Sequence, residues 1–254
     1  MNNYLIGDTG LIGQNLLQHT SFTDTFNSTT IFNFDEIYVE NSNVILSCLP
    51  ATKWIVNKNK LNDLNNIHDI VNRLHKHKFS KLILISTIDV YLDSPLKVNE
   101  DFNPEIKKLH YGSNRLLFEK MVTELFNYDQ LYIIRLPALF GKFLKKNIIF
   151  DLINDNCTSN INANSYYQWY YLENLYKDIK DITEKFDGGV FNLFTEPVYT
   201  KTIIDTFFKE IKTYKEEALV QYNWTTKYGK NGYIKSAEET LTDLGKFIHE
   251  TRSK

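Results

Sequence analysis

Three glycines at a fixed spacing mark the stretch best suited to chemistry: Gly7, Gly10 and Gly13, within Tyr4-Leu5-Ile6-Gly7-Asp8-Thr9-Gly10-Leu11-Ile12-Gly13-Gln14-Asn15-Leu16-Leu17. The apolar residues before Gly7 read as a strand, and those after Gly10 read as a helix. The first glycine permits a tight turn, the second lets the backbone approach a pyrophosphate, and the third lets the helix lie close on its strand. Amides of the helix's first turn then face an anion. A plain strand–turn–helix needs one glycine and not three, so the triplet points to a dinucleotide, with Thr9, Leu11 and Ile12 completing the loop around it. The adenosine ribose of such a ligand meets its partner at the end of the second strand, about 20 residues on. Asn33 and Asp35 are the candidates there. Asp35 favours NAD, although it reads equally well as the start of the next loop. No Arg stands near to receive a 2′-phosphate, which puts NAD ahead of NADP without closing the choice.

The elements that must position this loop follow from apolar spacing. A first helix is expected from Leu11 to about His19, and a second strand over Thr30–Phe34. The run Asn43 to Pro50 is nearly continuous and apolar, as a buried parallel strand is. Its end, Ser47-Cys48-Leu49-Pro50, passes along the cofactor, and Lys53 and Trp54 follow. Trp54 reads either as a ring to stack on a ligand or as ordinary packing. Leu64, Ile67, Val71 and Leu74 repeat at helical spacing, and Lys81–Ser86 is another buried strand. Leu116, Leu117, Met121, Val122 and Leu125 form a second helical stripe before the strand Leu131–Arg135. This alternation predicts an α/β protein with a Rossmann-like doubly wound parallel sheet.

Beyond Pro137 the pattern is less regular. A short helix is expected over 147–154, a strand over Tyr166–Tyr171, a helix from Leu172 to Phe186, and a strand over Gly189–Phe194. Thr200 reads as a helix cap, and Ser236 with Glu239 reads as a capping box for the last helix. We expect residues 1–140 to form the dinucleotide-binding core. Residues 141–254 then form a small α+β C-terminal cap for substrate and complete the core.

Composition narrows the partners. With 29 Lys and Arg against 31 Asp and Glu, the net charge of -2 offers no broad basic surface for nucleic acid or an anionic membrane. Charged residues interrupt every long apolar run, so no transmembrane span or signal peptide is expected. Cys48 and Cys157 lack metal-ligand spacing, and a cytoplasmic location with no bound metal is expected. His75, Lys76 and His77 read as a helix C-terminus favoured by its dipole.

Further motifs stand in a particular order. They are Ser86-Thr87-Ile88-Asp89-Val90-Tyr91, then Tyr111-Gly112-Ser113-Asn114-Arg115, then Arg135-Leu136-Pro137-Ala138-Leu139-Phe140-Gly141, then Gly188-Gly189-Val190-Phe191-Asn192-Leu193. Together with the glycine loop they resemble the extended short-chain dehydrogenase/reductase family, in its nucleotide-sugar epimerase, dehydratase and reductase branch. The resemblance implies that Tyr111 is a general acid/base beside a nicotinamide and that Thr87 is its hydroxyl partner. Ser86, Leu136 and Pro137, from the strand-end motifs, are then expected beside the cofactor. A free tyrosine has a pKa of about 10, so a nearby cation must lower it for work near neutral pH. The family places a Lys four residues after the Tyr, where it also binds the ribose. Here that position is Arg115, which keeps the charge in a longer planar fork. Two readings of Arg115 therefore stand: the tuning cation, or a solvated helix residue in a site without chemistry.

The expected function is hydride-transfer chemistry on a nucleotide-activated sugar, namely epimerisation, dehydration or keto reduction. The alternative is a non-catalytic dinucleotide-binding sensor or scaffold. Asp89, Trp54, Lys145 and Gln168 are the candidate substrate contacts. Lys142 and Lys146 read with Lys145 either as a pyrophosphate site or as a solvated cluster, and Gln168 equally as core. A homodimer is compatible with this reading.

Overall fold

The computed structural model describes residues 2–36, 42–108, 110–213 and 219–253. The elements run β1 (Asn3–Ile6), α1 (Leu11–Leu16), β2 (Asp24–Phe26), a 3₁₀ turn (Ile31–Glu36), β3 (Asn43–Leu46), α2 (Lys53–Lys58) and α3 (Lys60–Leu74). They continue with β4 (Lys78–Thr87), α4 (Tyr111–Leu125), β5 (Asn127–Leu136), β6 (Ala138–Phe140), α5 (Ile148–Ile153), β7 (Tyr166–Tyr167) and β8 (Trp169–Tyr171). The chain closes with α6 (Leu175–Lys185), β9 (Gly189–Asn192), β10 (Val198–Tyr199), α7 (Thr200–Phe207) and α8 (Ala237–Arg252).

Six strands form one sheet in the order β2-β1-β3-β4-β5-β9. β1 pairs in parallel with β2 on one side and with β3 on the other, and β3 pairs in parallel with β4. The order therefore reverses between β1 and β3, the switch point at which open α/β sheets bind ligands. Tyr4, Ile6, Val44, Leu46, Leu82 and Leu84 face one side, where they join Ile67, Val71 and Leu74 of α3 and Phe118 and Val122 of α4. On the other side Ile45 and Ile83 share a cavity of about 160 Å³ with Ile179 of α6. Both faces are covered, which is why these strands carry apolar residues almost without alternation. The fold is a Rossmann-like α/β sheet.

The chain divides into two compact units. The first is 1–95, 102–135 and 174–191, and the second is 96–101, 136–173 and 192–254. In the second, β6 pairs with β8 in parallel and β7 with β10 antiparallel. Phe140 stacks on Tyr171 at 5.0 Å, and both pack with Leu244 and Phe247 of α8. The capping box of α8 is formed: the Ser236 hydroxyl accepts from the Glu239 amide, and the Glu239 carboxylate accepts from the Ser236 amide.

Three expectations are corrected. The second strand is Asp24–Phe26 and not Thr30–Phe34. The Asn27 side-chain oxygen accepts from the Thr29 amide and hydroxyl, which starts a turn, and the 3₁₀ segment then buries Phe34 against Tyr4 and Phe26. Tyr166–Tyr171 is not one strand, because β7 and β8 break at Gln168 and pair with different partners. Thr200 is the first residue of α7 rather than its cap, and its buried hydroxyl has no partner among the described residues.

Candidate functional site

The glycine loop leaves β1 under tight steric limits. Gly7 has φ +106°, and a Cβ there would lie 2.3 Å from the Ser47 carbonyl oxygen; a Cβ on Gly13 would lie 2.1 Å from the Gly7 oxygen. Both glycines are fixed by the chain's own packing. Gly10 differs, since a Cβ would meet nothing nearer than 3.4 Å. Thr9 and Gly10 are exposed and Leu11 and Ile12 half-buried, so the loop's outer side is open to a ligand. The α1 helix is shorter than expected, ending at Leu16.

The loops after β1, β3 and β4 emerge from neighbouring strands at the same edge of the sheet. After β3, the Ser47 amide donates to the Ile6 carbonyl at 2.8 Å, which ties this loop to the glycine loop. Cys48 follows, its thiol pushed up to about 12 by burial, which leaves it a poor nucleophile. Leu49 is half-buried and Pro50 exposed.

After β4, the Thr87 hydroxyl accepts from the Asp89 amide at 3.2 Å and starts a 3₁₀ turn over Ile88–Tyr91. Asp89 is fully buried, with a carboxylate oxygen 2.5 Å from the ammonium of Lys53, whose side chain is half exposed. Below this turn the Ser86 hydroxyl donates to Glu119 at 2.5 Å. Arg135 binds both oxygens of Glu119 and donates to the Tyr91 hydroxyl at 2.5 Å. Burial opposes that charge, but Glu119 and Tyr91 outweigh it and raise the Arg135 pKa. Ser86 therefore supports the turn from beneath, where a ligand contact was expected.

Tyr111 opens α4. The preceding His110 caps the helix: its Nδ1 accepts from the amides of Gly112 and Ser113 at 3.0 and 3.2 Å, while the Ser113 hydroxyl accepts from the His110 amide. The Tyr111 amide donates to the Asn57 side chain of α2 at 2.9 Å. Gly112 is required because a Cβ there would lie 1.9 Å from the Asp89 carbonyl oxygen. That approach brings Tyr111 beside the β4 turn.

Arg115 is not a solvated helix residue. Only 5% of its side chain is exposed; it binds both oxygens of Asp63 at 2.8 and 3.2 Å and donates to the Pro50 carbonyl at 2.6 Å. Its guanidinium carbon lies 4.5 Å from the Tyr111 ring centroid, and the Lys53 ammonium lies 5.8 Å from it. Burial raises the Tyr111 pKa; Arg115 pulls it down, and Asp89 and Asp63 push it back up. The net result is a phenol above its ordinary value.

Thr87, Asp89, Tyr111 and Arg115 are thus brought together, with the Pro50 carbonyl joined to them. Lys53, Asp63 and His110 belong to the same cluster and were not singled out from sequence. The partners of Lys53 and Asp63 are distant in the chain, while His110 caps its own neighbours Gly112 and Ser113; only the closeness of Lys53 to the Cys48–Pro50 loop hinted at a role. Asn33 is exposed in the 3₁₀ turn and not at the end of β2, and the side chain of Asp35 lies outside the described residues. Trp54 is 62% exposed, with the Lys58 ammonium 5.2 Å from its ring centroid. Leu136 and Pro137 are buried and Lys145 is exposed, all three in the second unit. Gln168 is fully buried; its amide nitrogen donates to the carbonyls of Thr195 and Trp224, and its oxygen accepts from the Trp224 amide. It holds the core together and has no donor left for a substrate.

No protein-family model matches the sequence, and no curated protein matches it. Solved structures do match over the full length. MoeE5 in complex with UDP-glucose and NAD has 12% identity and a TM-score of 0.75, covering 100% of this chain and 99% of that one. The NAD-dependent NDP-hexosamine 5,6-dehydratase TunA, involved in tunicamycin biosynthesis, gives the same four values. A UDP-glucuronic acid 4-epimerase mutant from Bacillus cereus, in complex with a fluorinated UDP-sugar and NAD, has 17% identity and a TM-score of 0.74, covering 99% and 100%. At these identities the likeness is one of fold, and the chain shares with these structures a Rossmann-like α/β architecture.

Proposed function

We propose that the chain binds NAD at its glycine loop and acts on a nucleotide-activated sugar by epimerisation, dehydration or keto reduction. The observation that carries this reading is the convergence of Thr87, Asp89, Tyr111 and Arg115 at the strand edge that bears Gly10. The NAD and UDP-sugars bound in the similar structures support it. The residues fit a dinucleotide, because Gly10 leaves open a space that no packing within the chain demands. Gly7, Thr9, Gly10, Leu11, Ile12 and Gly13 would hold the pyrophosphate, with Cys48, Leu49 and Pro50 along its flank. When bound, the nicotinamide supplies the acceptor and donor of hydride.

Tyr111 exchanges the proton of the sugar hydroxyl, and Thr87 holds the oxygen. Above its ordinary pKa, Tyr111 keeps its proton at neutral pH and is present in the acid form. Arg115 is the group that favours the phenolate, from a position fixed by Asp63 and Pro50. In this reading residues 141–254 supply the substrate cap, including Lys145.

Mass spectrometry of material released from the purified protein tests the cofactor, and a panel of sugar nucleotides tests the reaction. Tyr111→Phe should abolish turnover while NAD affinity measured by calorimetry stays nearly unchanged. Tight NAD binding with no turnover of any sugar nucleotide by the parent would replace this reading with the sensor.

A further inference from the structure

Asp35, the carboxylate expected to meet an adenosine ribose, does not stand at the end of β2. In a dinucleotide-binding sheet this partner stands at the end of the second strand. Here β2 ends at Phe26, and the next residue, Asn27, uses its side-chain oxygen on Thr29. The glycine loop fills the corner instead. The amides of Gly7 and Asp8 both donate to the Phe26 carbonyl, at 2.6 and 3.3 Å. The Asp8 carboxylate is fixed there by the Thr25 hydroxyl, which donates to Oδ2 at 2.9 Å. The other oxygen, Oδ1, is buried and has no hydrogen-bond partner among the described residues. Buried polar atoms are nearly always paired, and an orphaned carboxylate oxygen is costly. A hydroxyl donor brought by a ligand would remove that cost.

We infer that Asp8 is the specificity-determining residue for the cofactor, accepting from the adenosine ribose hydroxyls and rejecting a 2′-phosphate. The inference rests on the proposed dinucleotide reading and moves the discriminating charge from Asp35 to the glycine loop. A ribose diol offers donors to Oδ1. A 2′-phosphate offers only negative charge and acceptors, so it meets repulsion from a carboxylate that Thr25 holds in place.

Calorimetry of the full chain with NAD and with NADP tests it, on the parent, Asp8→Asn and Asp35→Ala. Asp8→Asn keeps the shape and removes the charge, and thermal melting checks that the variant is folded. The parent should prefer NAD, and Asp8→Asn should narrow the NAD-to-NADP ratio by about tenfold or more, the size of one charge-assisted hydrogen bond. Asp35→Ala should leave the ratio where it is in the parent. An unchanged ratio in Asp8→Asn, or a collapsed ratio in Asp35→Ala, overturns the assignment while the dinucleotide reading survives. A parent that binds neither dinucleotide overturns both.

Discussion

The guanidinium of Arg115 faces the Tyr111 ring while both oxygens of Asp63 hold it. A Lys at this position would offer a point charge and could not reproduce the fork to Asp63 together with the bond to Pro50. Arg115→Met leaves the Asp63 carboxylate buried with its cation removed and the Asn114 amide still donating to it, a change that costs about 3–5 kcal/mol. We expect Arg115→Met to lose stability on that scale in denaturant unfolding, and Arg115→Lys to lose less. The pairing also sets the pH dependence. Tyr111 holds its proton through neutral pH, so a step in which it accepts a proton speeds up as pH rises. Lys53→Met is the gentler test, because Lys53 is half exposed while Asp89 is fully buried. Without the ammonium, Asp89 bears more strongly on the phenol, and the alkaline rise in rate should move to higher pH. A pH–rate profile identical to that of the parent would remove Lys53 from the site. Tyr111 and Thr87 were legible in the sequence because each lies in a compact local motif. The Arg115–Asp63 pair was not, since its members are 52 positions apart and nothing in either neighbourhood names the other.

Among the elements, α4 carries most of the site, and its start is set by His110. An imidazole whose Nδ1 accepts two amides must carry its proton on Nε2, which lies 3.2 Å from the Asp93 carboxylate. His110→Ala removes the cap and should cost about 1 kcal/mol, with His110→Asn recovering much of it. Thermal unfolding of the two variants measures the difference, and equal stability would show that the cap is not what fixes this end. The apolar stripe located α4, yet Ser113, Asn114, Arg115 and Glu119 on it are also buried. The partners of Asn114 and Arg115 on α3, and of Glu119 on β4 and β5, cannot be read from helical spacing. β2 shows the opposite limit. Asp24-Thr25-Phe26 is too short to display a strand period, while the aromatic and branched residues of Thr30–Phe34 imitate one. The Asn27 turn decided between them.

At the scale of the molecule, the site residues that converge all belong to the first unit, including Gly7–Gly13, Thr87, Tyr111 and Arg115. The repeated β-α alternation made this unit legible, because parallel strands covered on both faces need continuous apolar runs. The second unit was less so: its strands are two or three residues long, and its core depends on aromatic stacking between distant segments. A ligand confined to the glycine loop should therefore leave a local signature. NAD at about a hundred times its dissociation constant stabilises the state that binds it by about 2.7 kcal/mol. Hydrogen exchange should slow at the amides of Thr9–Gly13 and of Ser47–Leu49, and remain unchanged at the core of α8. Gly10 and Gly13 should separate binding from folding. A branched side chain at Gly13 collides with the Gly7 carbonyl and should destabilise the unit itself. At Gly10 a Cβ meets the Gly7 carbonyl oxygen at 3.4 Å, an ordinary contact, so Gly10→Val should melt near the parent temperature yet lose the protection that NAD confers. If Gly10→Val retained that protection in full, the dinucleotide could not lie against the loop, and the site would have to be sought elsewhere on the sheet.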